Sequence, residues 1–437
     1  MAGAIRQYNY KVKIMREFEC TREFALKKDE QDVLADFAGR FYKLEGRIYM
    51  DGNSLGLMSR DAEESLQKAI DIWKNDAIAI WGKGYLEYAV KLGAMTAPLI
   101  GADPDEVVIG QSTTMNIHQA LMTFYRPDEK RNKILVDDLN FPSDIYAVKS
   151  VLASFGKDPG EYLKIVESRD GQFIYEDDII DAMTDDVSLV LLPSALYRSA
   201  QLIDMKKIAR AAHDRGIICG FDLCHSAGTV RHDFRDIEPD FAVWCCYKYM
   251  NGGPGSTAGL FINKKHFGKQ PGMAGWFGNR VETQFDLSID FDHEESAAGW
   301  QTGTPHVLSM APLEGSLKMI EEAGLDNIRE KSLDITAYLM YLIDERLSVY
   351  GFSIGNSRED DKRTGHVALV HDDAIRINEA IKARNIIPDF RFPDVIRLAP
   401  AALYTSYTEV YDMVEQIVQI MESNEYERFE NKRGTVA

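Results

Sequence analysis

From about residue 105 to residue 265 the sequence alternates short, almost wholly apolar runs with stretches of helical periodicity, and this pattern narrows the fold more than any other feature. The runs are Val107-Val108-Ile109, Ile134-Leu135-Val136, residues 189–192, 217–221 and 241–246, and Leu260-Phe261-Ile262. A strand that is apolar on both sides of its pleat must be covered on both faces, and the intervening helices can cover it. The pattern predicts an α/β fold around a mostly parallel sheet. Ligands in such sheets bind at the carboxyl tips of the strands, so the polar residues just after each run are the first candidates for chemistry.

The flanking regions read differently. Residues 1–45 are polar and helical, an N-terminal arm, and a glycine-rich turn follows at residues 51–56. Residues 60–100 read as helix with a break near Trp81-Gly82-Lys83-Gly84. After residue 305 a long helical stretch runs to about 347 with a break near Gly324. Short strands and helices follow, which predicts a smaller α+β domain with a polar, frayed tail beyond Glu422. The expected division is residues 1–50 as arm or small-domain segment, 51–305 as the large ligand-binding domain, and 306–437 as the C-terminal small domain. A chain of 437 residues, at roughly 150 per domain, fits two to three units.

A net charge of −19 disfavours nucleic acid, whose phosphates need a basic face. The five cysteines include no Cys-x-x-Cys pair, and four lie in apolar runs, as expected of free thiols in a reducing, cytoplasmic setting. The first twenty residues lack the apolar core of a signal peptide, and no segment has the ~20 apolar residues of a membrane span. No zinc-ligand spacing, dinucleotide-binding glycine motif or Walker loop appears.

Two strand ends stand out. GIICGFD ends at Asp222 and is followed by Leu223-Cys224-His225; FAVWCCYK ends at Lys248 and is followed by the glycine-rich residues 251–255. An amine at the tip of an apolar strand is dry on one side and open on the other, which favours nucleophilic use. An acid placed against an aromatic nitrogen keeps that nitrogen protonated. Together they describe the two ends of a pyridoxal-phosphate (PLP) site, although either residue alone reads as a solvated strand end. Ser112-Thr113-Thr114 opens a helix after a strand and suits a phosphate, or merely a cap. Phe141 and Asp144 sit where one could stack on a ring and the other accept a hydrogen bond, or form a staple and a cap. Arg397, in an apolar run, asks for a planar anion such as an α-carboxylate, or for a structural salt bridge.

The chain resembles the kynureninase family, fold-type-I PLP hydrolases of the class V aminotransferase superfamily, from about residue 45 to 420. The resemblance rests on residues 50–56 (MDGNSLG), 141–144 (FPSD), 221–228 (FDLCHSAG), 247–255 (YKYMNGGPG), 275–278 (GWFG), Gly303-Thr304-Pro305, Ile396-Arg397 and Leu403-Tyr404, in order and spacing. It implies a seven-stranded, mostly parallel sheet with residues 51–305 as the PLP-binding domain. It also implies covalent attachment of PLP at Lys248, the ring nitrogen on Asp222 with His225 nearby, and phosphate on Thr113 and Thr114. Phe141 would stack on the ring beside Asp144, and Tyr247 would reach the phosphate and relay protons. Trp276 and Thr304 would reach the phosphate of a neighbouring subunit, making the active unit a homodimer with shared sites. Arg397 would clamp the α-carboxylate of an amino-acid substrate, with Asn53, Ser54 and Trp81 on the substrate side. The implied reaction is hydrolysis of the Cβ–Cγ bond of kynurenine or 3-hydroxykynurenine.

The sequence departs from the family pattern at residues 193–200 (PSALYRSA), where a polar His and Asn are missing, and at Lys83 and Asn279. Those departures leave a second reading open: a relative with the same cofactor site acting on another amino acid as β-lyase, other C–C hydrolase or aminotransferase. A non-catalytic relative is a third, and it predicts loss of Lys248 or its partners.

Overall fold

The structure, a computed structural model, describes residues 16–432. Its centre is a seven-stranded sheet formed by β1 (Val107–Ile109), β2 (Lys133–Asp137), β3 (Leu163–Val166), β4 (Val187–Pro193), β5 (Ile218–Asp222), β6 (Phe241–Cys245) and β7 (Ala258–Ile262). The spatial order is β1-β7-β6-β5-β4-β2-β3, and β7 alone runs against its neighbours. β1, β4, β6 and β7 are buried over nearly every residue, which is why their sequences are continuous apolar runs. The expected mostly parallel α/β sheet is present. β3 is a strand that the apolar pattern does not announce: it is an edge strand, half exposed, with Lys164 and an exposed Ile165 in place of an unbroken apolar run.

The break predicted near Trp81 is a 3-10 turn, Ala77–Lys83, between helices Arg60–Asp76 and Tyr88–Ile100. The long C-terminal helical stretch is two helices, Val307–Ala323 and Leu325–Arg346, which part at Gly324 with φ +77°. The second of these crosses between two packed cores. Leu325 and Ile328 lie in the core around the large sheet, whereas Ile335 to Ile343 lie in a second core. That second core packs around a four-stranded antiparallel sheet of β8 (Ser353–Ile354), β9 (Val367–Val370), β10 (Asp389–Arg391) and β11 (Val395–Leu398), in the order β10-β11-β9-β8.

Of the N-terminal arm, residues 1–15 lie outside the described residues. Arg22–Glu30 is a helix packed against the final helix, Tyr407–Glu422; Ala25 is buried in the second core, and Asp29 accepts the backbone N–H groups of Tyr407 and Thr408. Of the tail expected to fray, residues 433–437 lie outside the described residues, and Glu425–Arg428 corrects the expectation by forming a further turn, pinned because Arg384 donates to the Glu425 carboxylate.

Candidate active site

β5 and β6 end side by side. Asp222 closes β5, and its Oδ1 accepts the backbone N–H of Cys224 at 2.7 Å. β6 ends at Cys245, and the chain continues through Cys246 and Tyr247 to Lys248. A tight turn then reverses it: the N–H of Asn251, at φ +52°, donates to the Lys248 carbonyl at 3.0 Å, and that of Gly252 to the Cys246 carbonyl at 2.8 Å. The glycine-rich loop at residues 51–56 packs onto this turn, with Gly56 N–H donating to the Tyr247 carbonyl at 2.8 Å. A Cβ on Gly56 would strike the Asn251 side chain and the Lys248 carbonyl, so this close approach requires glycine.

The Lys248 Nζ lies 2.9 Å from Nε2 of His225. Burial, and then the charges of Lys248 and Arg397, hold His225 well below the usual imidazole range, so the ring is neutral and accepts from the ammonium at Nε2. Its proton then sits on Nδ1, a buried donor without a partner. Opposite, Asp144 in the first turn of helix Pro142–Ser154 is buried against Asp222. Burial, and then the charge of Asp222, push the Asp144 carboxyl well above the usual range, and its Oδ2 has no partner.

These unpartnered groups fit PLP. Two adjacent carboxyl groups suit a protonated ring nitrogen, and a primary amine suits an aldehyde. Phe141, 45% exposed at the start of the same helix, offers a ring face. The helix Thr113–Phe124 begins beside it, with Thr114 Oγ1 3.4 Å from Ser143 Oγ, so two helix starts converge where a phosphate would sit. Ser112 caps the first of them, and Gln111 turns into it at φ +59°. Tyr247 is half-buried beside Cys245 and Cys224, and burial there keeps its hydroxyl protonated.

Arg397 is fully buried and already engaged. Its guanidinium forms an ion pair with Asp389 and donates to the Tyr197 carbonyl at 2.8 Å and to Ser54 Oγ at 3.0 Å. Asn53 is buried with both amide atoms unpartnered. The remaining expected residues lie elsewhere in the single chain. Trp81 lines an apolar cavity of about 550 Å³ with Trp73, Ile78, Pro305 and Leu308. Thr304 borders a small cavity beside Gly110 and Gln111. Trp276 is 44% exposed and donates from Nε1 to the Gln284 carbonyl.

Three site components escape the sequence reading. Asp389 lies directly across from Arg397 in the β10–β11 register, a pairing visible only once strands are aligned. Tyr197 meets Phe141 edge-on at 5.4 Å and lies 6.5 Å from the His225 ring. His366 is buried 6.1 Å from His225, and burial with the Arg397 charge pushes it down to about 3. Its only sequence signal is a polar residue opening an apolar strand.

The chain is 53% identical over 423 residues to the kynureninase of Bacillus anthracis, a match covering 96% of this chain and 99% of the relative. It is 51% identical over 422 residues to that of Geobacillus thermodenitrificans, covering 96% and 99%. Residues 328–417 match the family described as the kynureninase C-terminal domain. Among solved structures, an apo cysteine desulfurase from Thermococcus onnurineus NA1 superposes with a TM-score of 0.75 at 17% identity, covering 89% of this chain and 98% of that one. A C-DES mutant with glycine covalently linked to its PLP cofactor superposes with a TM-score of 0.76 at 16% identity, covering 87% and 98%. The structural likeness establishes that the chain shares the fold of these two proteins. The sequence identity along nearly the whole chain establishes more: this protein belongs to the kynureninase family.

Proposed function

We propose that this protein is a PLP-dependent hydrolase that cleaves the Cβ–Cγ bond of kynurenine or 3-hydroxykynurenine, releasing alanine and an anthranilate. The observation that carries this is the meeting of Lys248, His225, Asp222 and Asp144 at two strand tips, in a chain 53% identical to a kynureninase over 96% of its length. Identity of that extent does not favour the alternative of a different amino-acid substrate.

Bound PLP supplies an aldehyde carbon for the Lys248 amine and a ring that takes up the charge left by a departing α-proton. Asp222 holds the proton on the ring nitrogen. Asp144, kept neutral by burial and by the charge of Asp222, would donate to the Asp222 carboxylate and add no second negative charge. Phe141 covers one ring face, and Thr113 and Thr114 take the phosphate at the helix start. Lys248 Nζ would hold the aldehyde carbon of PLP and would take up the substrate's α-proton. The neutral His225 accepts from Nζ and steadies it without competing positive charge. The Tyr247 hydroxyl, protonated throughout the neutral range, is placed to donate. Arg397, oriented by Asp389 and sharing Ser54, directs the α-carboxylate, with Asn53 alongside. Water adds to the γ-carbonyl and the Cβ–Cγ bond breaks.

The active unit in this reading is a homodimer, in which Trp276 and Thr304 complete the partner's phosphate site and Trp81 borders the substrate's aryl end. The exposed apolar side chains of Trp276, Phe285, Leu287 and Ile289 support a face covered by a second copy. Five free cysteines support a cytoplasmic setting. The test is turnover: the PLP-loaded protein given kynurenine or 3-hydroxykynurenine is expected to release the matching fluorescent anthranilate and an equal amount of alanine. Absence of both products from both substrates would refute the reading.

A further inference from the structure

We propose that Cys224 and Cys245 form a redox-modification site, a thiol pair that closes to an intrachain disulfide when a hydroperoxide reaches it. β5 and β6 are parallel with Asp222 opposite Val243, and the same register carried two residues on sets Cys224 beside Cys245. The Cys245 backbone N–H donates to Cys224 Sγ at 3.2 Å. Neighbouring strands lie ~4.8 Å apart, inside the ~4.4–6.8 Å Cα separation that a disulfide spans. Cys224 is partly exposed, which gives a small oxidant a way in.

Cys245 differs from the other cysteines near it, for the hydrogen bond with Cys245 and then burial push Cys224 well above the usual thiol range. Burial pushes Cys219 and Cys246 well above the usual thiol range, which makes them inert. Burial acts on Cys245 too, but hydrogen bonding with Cys224, the Lys248 charge and hydrogen bonding with Tyr247 together lower it. The Cys245 thiol gives up its proton and attacks one oxygen of hydrogen peroxide; the O–O bond breaks, the leaving hydroxide takes that proton to become water, and the sulfur becomes a sulfenic acid. The Cys224 thiol then attacks that sulfur, the S–O bond breaks, and the leaving hydroxide takes the Cys224 proton and departs as a second water with the S–S bond formed. Two thiols give up two electrons, and one peroxide is reduced to two waters.

Both sulfurs sit against the machinery read above. The Cys224 N–H holds Asp222, and the Cys245 thiol touches Tyr247. Closing the disulfide pulls on both. The effect on turnover rests on the proposed reaction, whereas formation of the disulfide does not.

The experiment treats the PLP-loaded protein with hydrogen peroxide and counts thiols after denaturation. The expected count falls by two from the five present, with a loss of about 2 Da in intact mass. A Cys219→Ser/Cys246→Ser background makes the Cys224–Cys245 cross-link unambiguous in a peptide map. Turnover should fall about tenfold, the size of one lost hydrogen bond to a charged group, and return with dithiothreitol. Cys224→Ala should form no cross-link and keep its turnover under peroxide. Five thiols surviving, a cross-link through other cysteines, or oxidation to sulfonic acid alone would overturn the assignment. Cross-linking without loss of turnover would overturn its effect on Asp222 and Tyr247 while leaving the pair itself standing.

Discussion

The two ends of β5 and β6 carry buried carboxylates of opposite character. At the amino end Asp240 is fully served: it accepts from His213 at 3.0 Å, His266 at 2.7 Å, Lys265 at 2.8 Å and the Cys219 backbone N–H at 2.7 Å. These partners outweigh burial and hold it far below the usual carboxylate range. At the carboxyl end Asp144 faces another carboxyl, keeps an unpartnered oxygen and is pushed the other way. One sheet thus separates a satisfied polar cluster that stabilises the fold from an unsatisfied one that awaits a ligand. Unmet hydrogen-bonding capacity beside a nucleophile marks function; burial of charge alone does not.

The largest expected effect falls on the unsatisfied end. Lys248→Ala should lower kynurenine turnover by more than about a thousandfold, as loss of a covalent attachment point and proton carrier does, while thermal scans of the apo-protein change little. Next is the satisfied end. Asp240→Ala leaves His213, His266 and Lys265 without their acceptor and should cost about 3–5 kcal/mol in denaturant titrations, with kcat per folded molecule retained. Because Asp240 is depressed, its contribution is full above its unfolded value near 3.8 and is lost as the pH falls below that. The variant should therefore lose less stability than the parent on acidification.

A smaller effect of opposite sign is expected at Asp144. A carboxyl raised in the folded state favours folding below its unfolded value of 3.8, and that favour is lost as the pH rises through the raised value. Asp144→Asn should flatten the decline of apo-protein Tm as the pH rises above 3.8 and add about 1 kcal/mol at neutral pH, while weakening PLP binding in a titration followed by absorbance. Equal pH dependence of the two apo-proteins would contradict the contrast between the strand ends. Smallest of all is the exposed Lys206–Asp236 pair, more than half exposed on both sides; Asp236→Ala should shift stability by less than about 0.5 kcal/mol.

The same contrast explains what the sequence reveals. β4, β5 and β6 are legible because each is buried on both faces and so is written as an unbroken apolar run, and Asp222 and Lys248 are legible as the charges that end such runs. β3 is not legible because an edge strand is under no such constraint. Asp389, Tyr197 and His366 escape because their relevance arises from strand register and from contact between the two cores, which no local pattern encodes. The residues read at Trp81, Trp276 and Thr304 show the opposite limit. Trp81 and Thr304 line cavities that do not include Lys248, and Trp276 donates to Gln284, so the contacts within one chain do not display the roles read for them.

Borohydride reduction of the PLP-loaded protein followed by peptide mapping asks which side chain is bonded to the cofactor. A single reduced pyridoxyl adduct is expected, on Lys248 and absent from Lys248→Ala. An adduct on another lysine, or none on a protein that has bound PLP, would contradict attachment at Lys248.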